Sequence, residues 1–437
     1  MKFALLLVPI IVLGQSPDPQ LMTEIHRIRA IDNHSHPPRV VSAGERDDEF
    51  DALPCDPLEP TEPNTMTRPE NPMYLAAWKA LWGYAYSDAS EAHVHELMAT
   101  KERIRREQGD RYPAWVLDRL GIETEFANRV ALGRGLAAPR FRWVPFDDAL
   151  LFPLDNSGLA KQTPDRKFFF SREAALLVRY RTELGVSALP GTLREYLSQV
   201  VTPALDRQKQ QGAVAIKFEA AYLRPLDFAP ADGSEAAAIY ERYLGKGVPP
   251  GREYAVLQNF LFHHIALEAG RLKLPVQLHT GAGCGGYFNL KGADPLLLEP
   301  VLNDATLRAT TFVLLHGGAV AFTQSVPFLT MKPNVYADLS QQTWMLSPRK
   351  LSQVLRDWLE WYPEKVLFGT DLYPGSGAYD WEEIGWQTTE TARQALGMAL
   401  TSMMQDGEIS RARAVEIARR VLRENALKLY GLGTAQR

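Results

Sequence analysis

Eight short apolar runs, separated by amphipathic stretches, are the feature that most constrains how this chain folds. The runs span residues 30–34, 124–130, 141–145, 213–218, 275–279, 311–316, 335–338 and 366–369. Helical patterns lie between most of them, for example over residues 254–271, 348–361 and 409–429. Strands this apolar are buried on both faces, which indicates a parallel sheet with helical crossovers. Eight such units without a dinucleotide-binding glycine motif predict the α/β class, as a (β/α)₈ TIM-like barrel rather than an open sheet.

The first two strands are separated by a segment that is too long to be a simple connection. Its first part is rich in Asp, Glu, Pro and Thr, and residues 72–100 are helical in pattern and rich in aromatic side chains. We interpret residues 39–120 as a loop and helix insertion in a barrel that spans residues 21–435. An insertion after the first strand lies where a lid over the site would form.

The beginning of the chain has the pattern of a secretory signal peptide. Lys2 gives a positive start, residues 3–13 are almost entirely apolar, and small and polar residues follow. This run is too short to span a bilayer, and Pro17 and Pro19 break the chain directly after it. We therefore predict a leader over residues 1–16 and an exported protein, periplasmic or secreted. The alternative is a buried N-terminal helix or strand.

The charge composition of the chain limits the kinds of binding partner that we expect. A net charge of -4 and a pI near 6.2 give no electrostatic reason to expect nucleic acid or an anionic membrane. No segment after the leader is long and apolar enough to cross a membrane. We expect a small-molecule substrate and leave a homo-oligomer open. Cys55 and Cys284 do not make a disulfide framework, and whether they pair also stays open.

Polar side chains stand at the carboxyl ends of the predicted strands. They are His34, His36, Lys217, His279, His316 and Asp371. Barrel active sites form at that face, so these side chains should converge. Residues two apart in a strand point the same way, so the His-x-His pair can grip one ion, and imidazoles with a carboxylate suit zinc. The alternative for each histidine is a structural side chain that is hydrogen-bonded to backbone.

The fourth predicted strand and the segment that follows it contain three candidates for substrate binding, Lys217, Tyr222 and Arg224. Arg224 could clamp a carboxylate through two parallel hydrogen bonds, or it could be a surface residue. Lys217 could bind an anion or form an ion pair with Glu219. We expect the glycine-rich loop around Cys284 to line the mouth of the site, without a nucleophilic role for the thiol.

The sequence resembles the amidohydrolase superfamily, and most closely its amidohydrolase-related branch, which includes decarboxylases and hydrolases. The matching segments are Asp32-Asn33-His34-Ser35-His36, His279-Thr280-Gly281, His316-Gly317-Gly318 and Gly369-Thr370-Asp371. The resemblance implies one or two divalent metal ions, most simply zinc, with His34, His36, His279 and Asp371 as ligands. It also implies that the metal activates water, that Asp371 carries its proton, and that His316 polarises the substrate. In binuclear relatives a lysine at the position of Lys217 is carboxylated and bridges two metals.

Three functions are consistent with these observations. The first is a metal-dependent hydrolase that acts with an activated water on a C–N or C–O bond of a small molecule. The second is a decarboxylase or other lyase of the same superfamily. The third is a non-catalytic exported binding protein on a barrel scaffold. Fold alone does not decide between binding and catalysis, but the intact set of metal ligands disfavours this third function.

Overall fold

A barrel of parallel strands forms the centre of the protein. The computed structural model describes residues 16–42 and 44–433, and within these the eight strands are β1 (Ala30–Ser35), β2 (Ile122–Asn128), β3 (Phe141–Val144), β4 (Ile216–Phe218), β5 (Val276–His279), β6 (Phe312–Leu315), β7 (Val335–Asp338) and β8 (Val366–Leu367). Neighbouring strands are paired in chain order, β1-β2-β3 and β4-β5-β6-β7-β8, and every pair is parallel.

Backbone hydrogen bonds at two seams join these two groups of strands into a closed ring. Between β3 and β4, the Lys217 N–H donates to the Pro145 carbonyl at 2.8 Å. Between β8 and β1, the Asn33 N–H donates to Phe368 at 2.9 Å and the Asp371 N–H donates to His34 at 2.8 Å. The predicted (β/α)₈ barrel is therefore confirmed, with strand bounds within a few residues of the apolar runs.

The inside of the barrel is filled by side chains. Gln277 of β5 donates from its amide to the Asn33 carbonyl of β1 at 3.0 Å and accepts from the Asn128 amide of β2 at 2.9 Å. Because the Gln277 side chain bonds to both β1 and β2, it must extend across the interior of the barrel. The same amide donates to the Tyr430 hydroxyl near the C-terminus, so the last helical segment closes the end of the barrel opposite the strand-end histidines.

Helices surround the barrel. They are α1 (Pro19–Arg27), α2 (Pro72–Trp82), α3 (Glu91–Gln108), α4 (Tyr112–Leu120), α5 (Ser157–Ala160), α6 (Pro164–Glu183), α7 (Leu193–Tyr196), α8 (Thr202–Gln210), α9 (Ala220–Leu223), α10 (Gly233–Tyr243), α11 (Gly251–Leu272), α12 (Glu299–Leu302), α13 (Val326–Thr330), α14 (Gln342–Met345), α15 (Pro348–Trp361), α16 (Trp381–Gln405), α17 (Arg411–Arg419) and α18 (Asn425–Leu429). The helical pattern over residues 72–100 is two helices rather than one. Gly83 ends α2 in the left-handed conformation, at φ 68°, which stops a helix at low cost.

The insertion between β1 and β2 is fastened to the barrel at several points. The Trp78 indole donates to the Ala378 carbonyl at 2.8 Å, and the Lys101 ammonium lies 2.7 Å from the Glu383 carboxylate of α16. Cys55 and Cys284 form a disulfide that ties the insertion to the loop after β5, which answers the question of their pairing. The insertion therefore lies as a wall beside the carboxyl ends of the strands.

The described residues contain no helix with both the length and the apolar composition needed to traverse a bilayer. Residues 1–15 of the predicted leader lie outside the described part of the chain.

Candidate metal centre

The carboxyl ends of β1, β6 and β8 bring three donor side chains together. A His34 ring nitrogen, Nε2, lies 3.1 Å from Asp371 Oδ1, and His316 Nδ1 lies 3.9 Å from Asp371 Oδ2. One ligand atom from each of the three residues falls within 4.8 Å of the others. His34 lies more than 280 positions before His316 and Asp371 in the sequence, so closure of the barrel between β8 and β1 brings it into contact with them.

Two of these donors have an unusual backbone conformation. His316 has φ 64° and Asp371 has φ 55°, in the left-handed region that non-glycine residues rarely adopt. The His316 N–H donates to the Asp338 carboxylate at 2.7 Å, and that carboxylate also accepts from the Asn33 amide at 2.8 Å. These bonds hold the turn after β6 in a conformation that aims the imidazole across the barrel, and such local strain is typical of functional sites.

Burial sets the protonation states in this cluster. It lowers the pKa of His34 and of His316 well below the usual range, and the neighbouring Lys217 charge lowers both further. A neutral imidazole has a free lone pair, which is the form that binds a metal. Burial raises the pKa of Asp371 well above its usual range. A buried set of neutral imidazoles around a carboxylate fits a divalent cation, which would restore the charged form of Asp371.

His279 lies beside this cluster and is linked to it through His316. The Ala282 carbonyl accepts from His279 Nε2 at 2.8 Å, which leaves the lone pair of Nδ1 facing His316 Nε2 at 3.0 Å. A further bond at 2.9 Å joins His316 Nδ1 to the Ser340 hydroxyl. The backbone carbonyl thus fixes the His279 tautomer and directs Nδ1 at His316.

A second group of donors lies next to the first. His36 Nδ1 lies 3.5 Å from the Asp51 carboxylate, and ligand atoms of His36, Asp51 and Glu219 all fall within 4.8 Å of one another. The other His36 nitrogen, Nε2, lies 3.6 Å from Asp371 Oδ1, so the two groups adjoin. Burial and the Asp51 charge raise the pKa of Glu219 well above its usual range.

Lys217 lies between the two groups. Its ammonium is 3.4 Å from His34 Nε2 and 3.7 Å from a Glu219 oxygen, and the whole side chain is buried. The ion pair with Glu219, one of the alternatives for this lysine, is therefore present. Carboxylation of Lys217 stays a prediction.

Tyr222 and Arg224, the two substrate-binding candidates beyond β4, lie in different surroundings. The Tyr222 ring lies 4.8 Å from the His279 ring and 5.0 Å from the Phe288 ring, so Tyr222 lies against the site. Arg224 turns away to α11, where its guanidinium donates to Gln258 at 2.9 Å and to Asn259 at 2.7 Å. Its predicted role as a carboxylate clamp is not supported, because buried amides already take these donors.

Of the predicted metal ligands, the structure brings His34 and Asp371 into the tightest cluster. His316, which the sequence suggested as a catalytic residue, completes that cluster, whereas His36 joins Asp51 and Glu219. Sequence reasoning missed Asp51 altogether and named Glu219 only as a partner of Lys217. Asp51 follows the acidic run of residues 45–49 in the insertion, and nothing in the sequence distinguishes it from those acids.

A parallel barrel with histidines and an aspartate at its strand ends defines a class, the metal-dependent barrel enzymes. Residues 188–432, more than half of the chain, match the amidohydrolase family, and the chain belongs to that family. Family membership implies a divalent metal as cofactor.

Similarity to individual proteins is lower. The chain is 31% identical to the protein fluG of Emericella nidulans over 160 residues, which cover 36% of this chain and only 17% of fluG. Uronate isomerase of Thermotoga maritima superposes with a TM-score of 0.62 at 15% identity, covering 94% of this chain and 96% of the isomerase. A Lactobacillus casei protein, provisionally named a metal-dependent hydrolase, superposes with a TM-score of 0.61 at 16% identity, covering 96% and 98%. At these identities the two structures show a shared fold.

Proposed function

We propose that this protein is a metal-dependent hydrolase that cleaves a C–N or C–O bond of a small molecule. The observation that carries the proposal is the placement of the Asp371 carboxylate, with His34 Nε2 at 3.1 Å, His36 Nε2 at 3.6 Å and His316 Nδ1 at 3.9 Å. Family membership supports the same chemistry. A divalent cation held by His34, His316 and Asp371 would supply Lewis acidity and lower the pKa of water at the site; zinc suits this donor set.

Each residue of the chain has a task in this reaction. Asp371 is the group that exchanges a proton with the nucleophile and the leaving group, because its carboxylate is buried and faces the reacting centre. Its side chain and that of Asp51 are each 13% exposed, so the site meets solvent along these two carboxylates. Asp338 and Ser340 hold His316 in place as a ligand of the cation, and Tyr222 with Phe288 lines the wall beside His279.

The charges around the site argue against the substrate of the uronate isomerase that shares this fold. A uronate carries a carboxylate, which enzymes usually bind through a free arginine or lysine. Here Lys217 is paired with Glu219, Arg224 is bonded to α11, and Arg129 is paired with Asp47 at 2.8 Å. These nearby cations are all engaged within the protein, which favours a substrate without a carboxylate at the reacting centre.

The proposal includes export from the cytoplasm, to the periplasm or the medium. A disulfide between Cys55 and Cys284 supports it, because such bonds persist mainly in oxidising compartments, and the leader-like residues 1–16 agree with it. In a bacterial host we expect a mature chain that begins near Pro17, and we expect the uncleaved precursor to accumulate when a protonophore blocks export. A chain that keeps residues 1–16 and stays in the cytoplasm would contradict export.

The test of the reaction uses the full mature chain and a panel of N-acyl amines, esters and lactones, with a uronate included. We expect hydrolysis that stops on thorough chelation and returns with Zn²⁺. Asp371→Asn should lower kcat at least about a hundredfold, whereas Asp48→Asn, an exposed residue of the insertion, should leave it unchanged. Turnover that survives metal removal would refute the proposal, and isomerisation of the uronate without hydrolysis would replace it.

A further inference from the structure

We propose that Gln341 selects an amide as the substrate, by accepting a hydrogen bond from the N–H group next to the carbonyl that is hydrolysed. The inference rests on the proposed function and narrows it from a C–N or C–O bond to a C–N bond. In this reaction water adds across the C–N bond. The carbonyl carbon gains the hydroxyl, the nitrogen gains the proton, and a carboxylic acid and an amine are released.

The segment that contains Gln341 is fixed among the loops that carry the metal donors. It follows β7 and leads into α14. Three successive side chains of this segment donate to backbone carbonyls in three different loops, namely Gln341 to Ala282 after β5 at 3.1 Å, Gln342 to His316 after β6 at 2.9 Å and Thr343 to Thr370 after β8 at 3.3 Å. The segment therefore lies at the carboxyl ends of the strands, beside the candidate metal centre.

The Gln341 amide lies next to His279, because both side chains bond to one carbonyl. Ala282 accepts from His279 Nε2 at 2.8 Å and from Gln341 Nε2 at 3.1 Å. Only the nitrogen of a glutamine amide can donate, so this bond determines which end of the amide faces Ala282. The other end, Oε1, is buried and has no hydrogen-bond partner among the described residues. Gln341 is 5% exposed, so bulk water has little access to this acceptor.

The backbone of Gln341 is strained. Its φ of 60° and ψ of -47° lie where residues other than glycine are rare. The Gln341 carbonyl accepts from the Trp344 and Met345 N–H groups, each at 3.1 Å, so the first turn of α14 holds this conformation. Strain of this kind persists where the surrounding structure imposes it, and it is concentrated at ligand-binding sites. Here the strained residue is the one that presents a free acceptor.

The surroundings of this acceptor are aromatic. Trp344 lies three residues after Gln341, and its ring is 5.9 Å from the ring of Tyr373, which follows Asp371 by two positions. The Trp344 indole nitrogen, a donor, is also buried without a partner among the described residues. One free acceptor, one free donor and two ring faces suit a secondary amide that carries an aromatic substituent.

An ester would not satisfy Gln341. The bridging oxygen of an ester and the nitrogen of a tertiary amide have no proton to donate, so the buried acceptor would stay unpaired in their complexes. A site that is built to bond an N–H group discriminates against analogues that lack it for this reason.

The experiment compares three substrates that share the acyl group hydrolysed fastest in the panel, with the metal-loaded, full mature chain. They are the N-benzyl amide, its N-methyl derivative and the benzyl ester, of which only the first has an N–H group. Gln341→Met removes the acceptor and keeps the side-chain length. It should lower kcat/KM for the N-benzyl amide at least about tenfold more than for the other two substrates. Gln341→Glu keeps an acceptor oxygen and should retain part of the preference.

Thr343→Val is the matched control, because it removes a bond from the same segment without removing a free acceptor. Its ratio of kcat/KM between the three substrates should equal that of wild type. The ratio also separates selection from a general loss of structure, which lowers kcat/KM for all three substrates alike.

Binding to the metal-free chain, measured by calorimetry, gives a second readout. Wild type should bind the N-benzyl amide more tightly than its N-methyl derivative, and Gln341→Met should bind both equally. If Gln341→Met lowers kcat/KM equally for all three substrates, or if only the ester is hydrolysed, the role of Gln341 is overturned and the proposed hydrolase stands. No hydrolysis of any compound in the panel overturns both.

Discussion

Replacing both cysteines of the Cys55–Cys284 disulfide by serine should lower the stability of the fold. The bond joins residues 229 positions apart. In the chain-entropy treatment a cross-link of this separation stabilises the folded state by about 5 kcal/mol, and measured losses commonly lie between about 2 and 5 kcal/mol. The entropy of unfolding scales to about 0.9 kcal/mol per kelvin for 437 residues, so the melting temperature should fall by about 2–6 °C.

The same change should weaken metal binding, because the disulfide anchors the loops beside the site. Asp51 lies four residues from Cys55, and His279 lies five residues from Cys284. Without the covalent link the insertion and the β5 loop can separate, and the cost of ordering these loops around the site then has to come from the binding energy of the cation. We expect Zn²⁺ to bind to the variant at least about tenfold more weakly than to wild type.

Scanning calorimetry and a Zn²⁺ titration of the double serine variant measure both effects. A thiol reductant should move wild type toward the variant, because Cys55 is exposed, and it should leave the variant unchanged. A variant that melts within about 1 °C of wild type and binds Zn²⁺ with wild-type affinity would refute the reasoning.

Two further predictions concern buried ionisable groups outside the candidate ligand set. Burial raises the pKa of Asp147 to about 8, while the Gln208 amide that donates to it at 2.7 Å lowers it in part. The folded state therefore keeps a proton that the unfolded chain releases near pH 4, so this group costs stability as pH rises from about 4 to about 8. Asp147→Asn should gain stability over wild type at pH 8 relative to pH 5 in urea unfolding, and a pH-independent difference would contradict this. Lys101 lies buried 2.7 Å from Glu383 and 3.5 Å from Glu382, so Lys101→Met should cost about 3–5 kcal/mol by leaving carboxylates uncompensated. Adding Glu383→Gln should recover part of that loss, and a cost below about 1 kcal/mol would show that the pair is not buried as described.

The barrel itself follows from the sequence. Short apolar runs that alternate with amphipathic helical patterns indicate internal parallel strands, and β7 and α15 begin and end where the pattern places them. The strand-end positions of His34, His316 and Asp371 follow as well, because a run of apolar residues that stops at a polar one marks the carboxyl end of a strand. Helix bounds were less well determined, since a single glycine at position 83 divides one helical pattern into two helices.

The make-up of the site was decided by tertiary structure. Sequence spacing could not show that Arg224 turns to α11, because two buried amides there compete for its guanidinium. Nor could it select Asp51 from the acids of the insertion, since the choice depends on the anchors at Asp47 and Cys55. The spacing of apolar and polar residues along the chain determines which face of a strand or helix is buried. It therefore predicts the fold and the donor residues at the strand ends. Contacts between segments far apart in the chain depend on how loops close over the barrel, and only the folded structure specifies them.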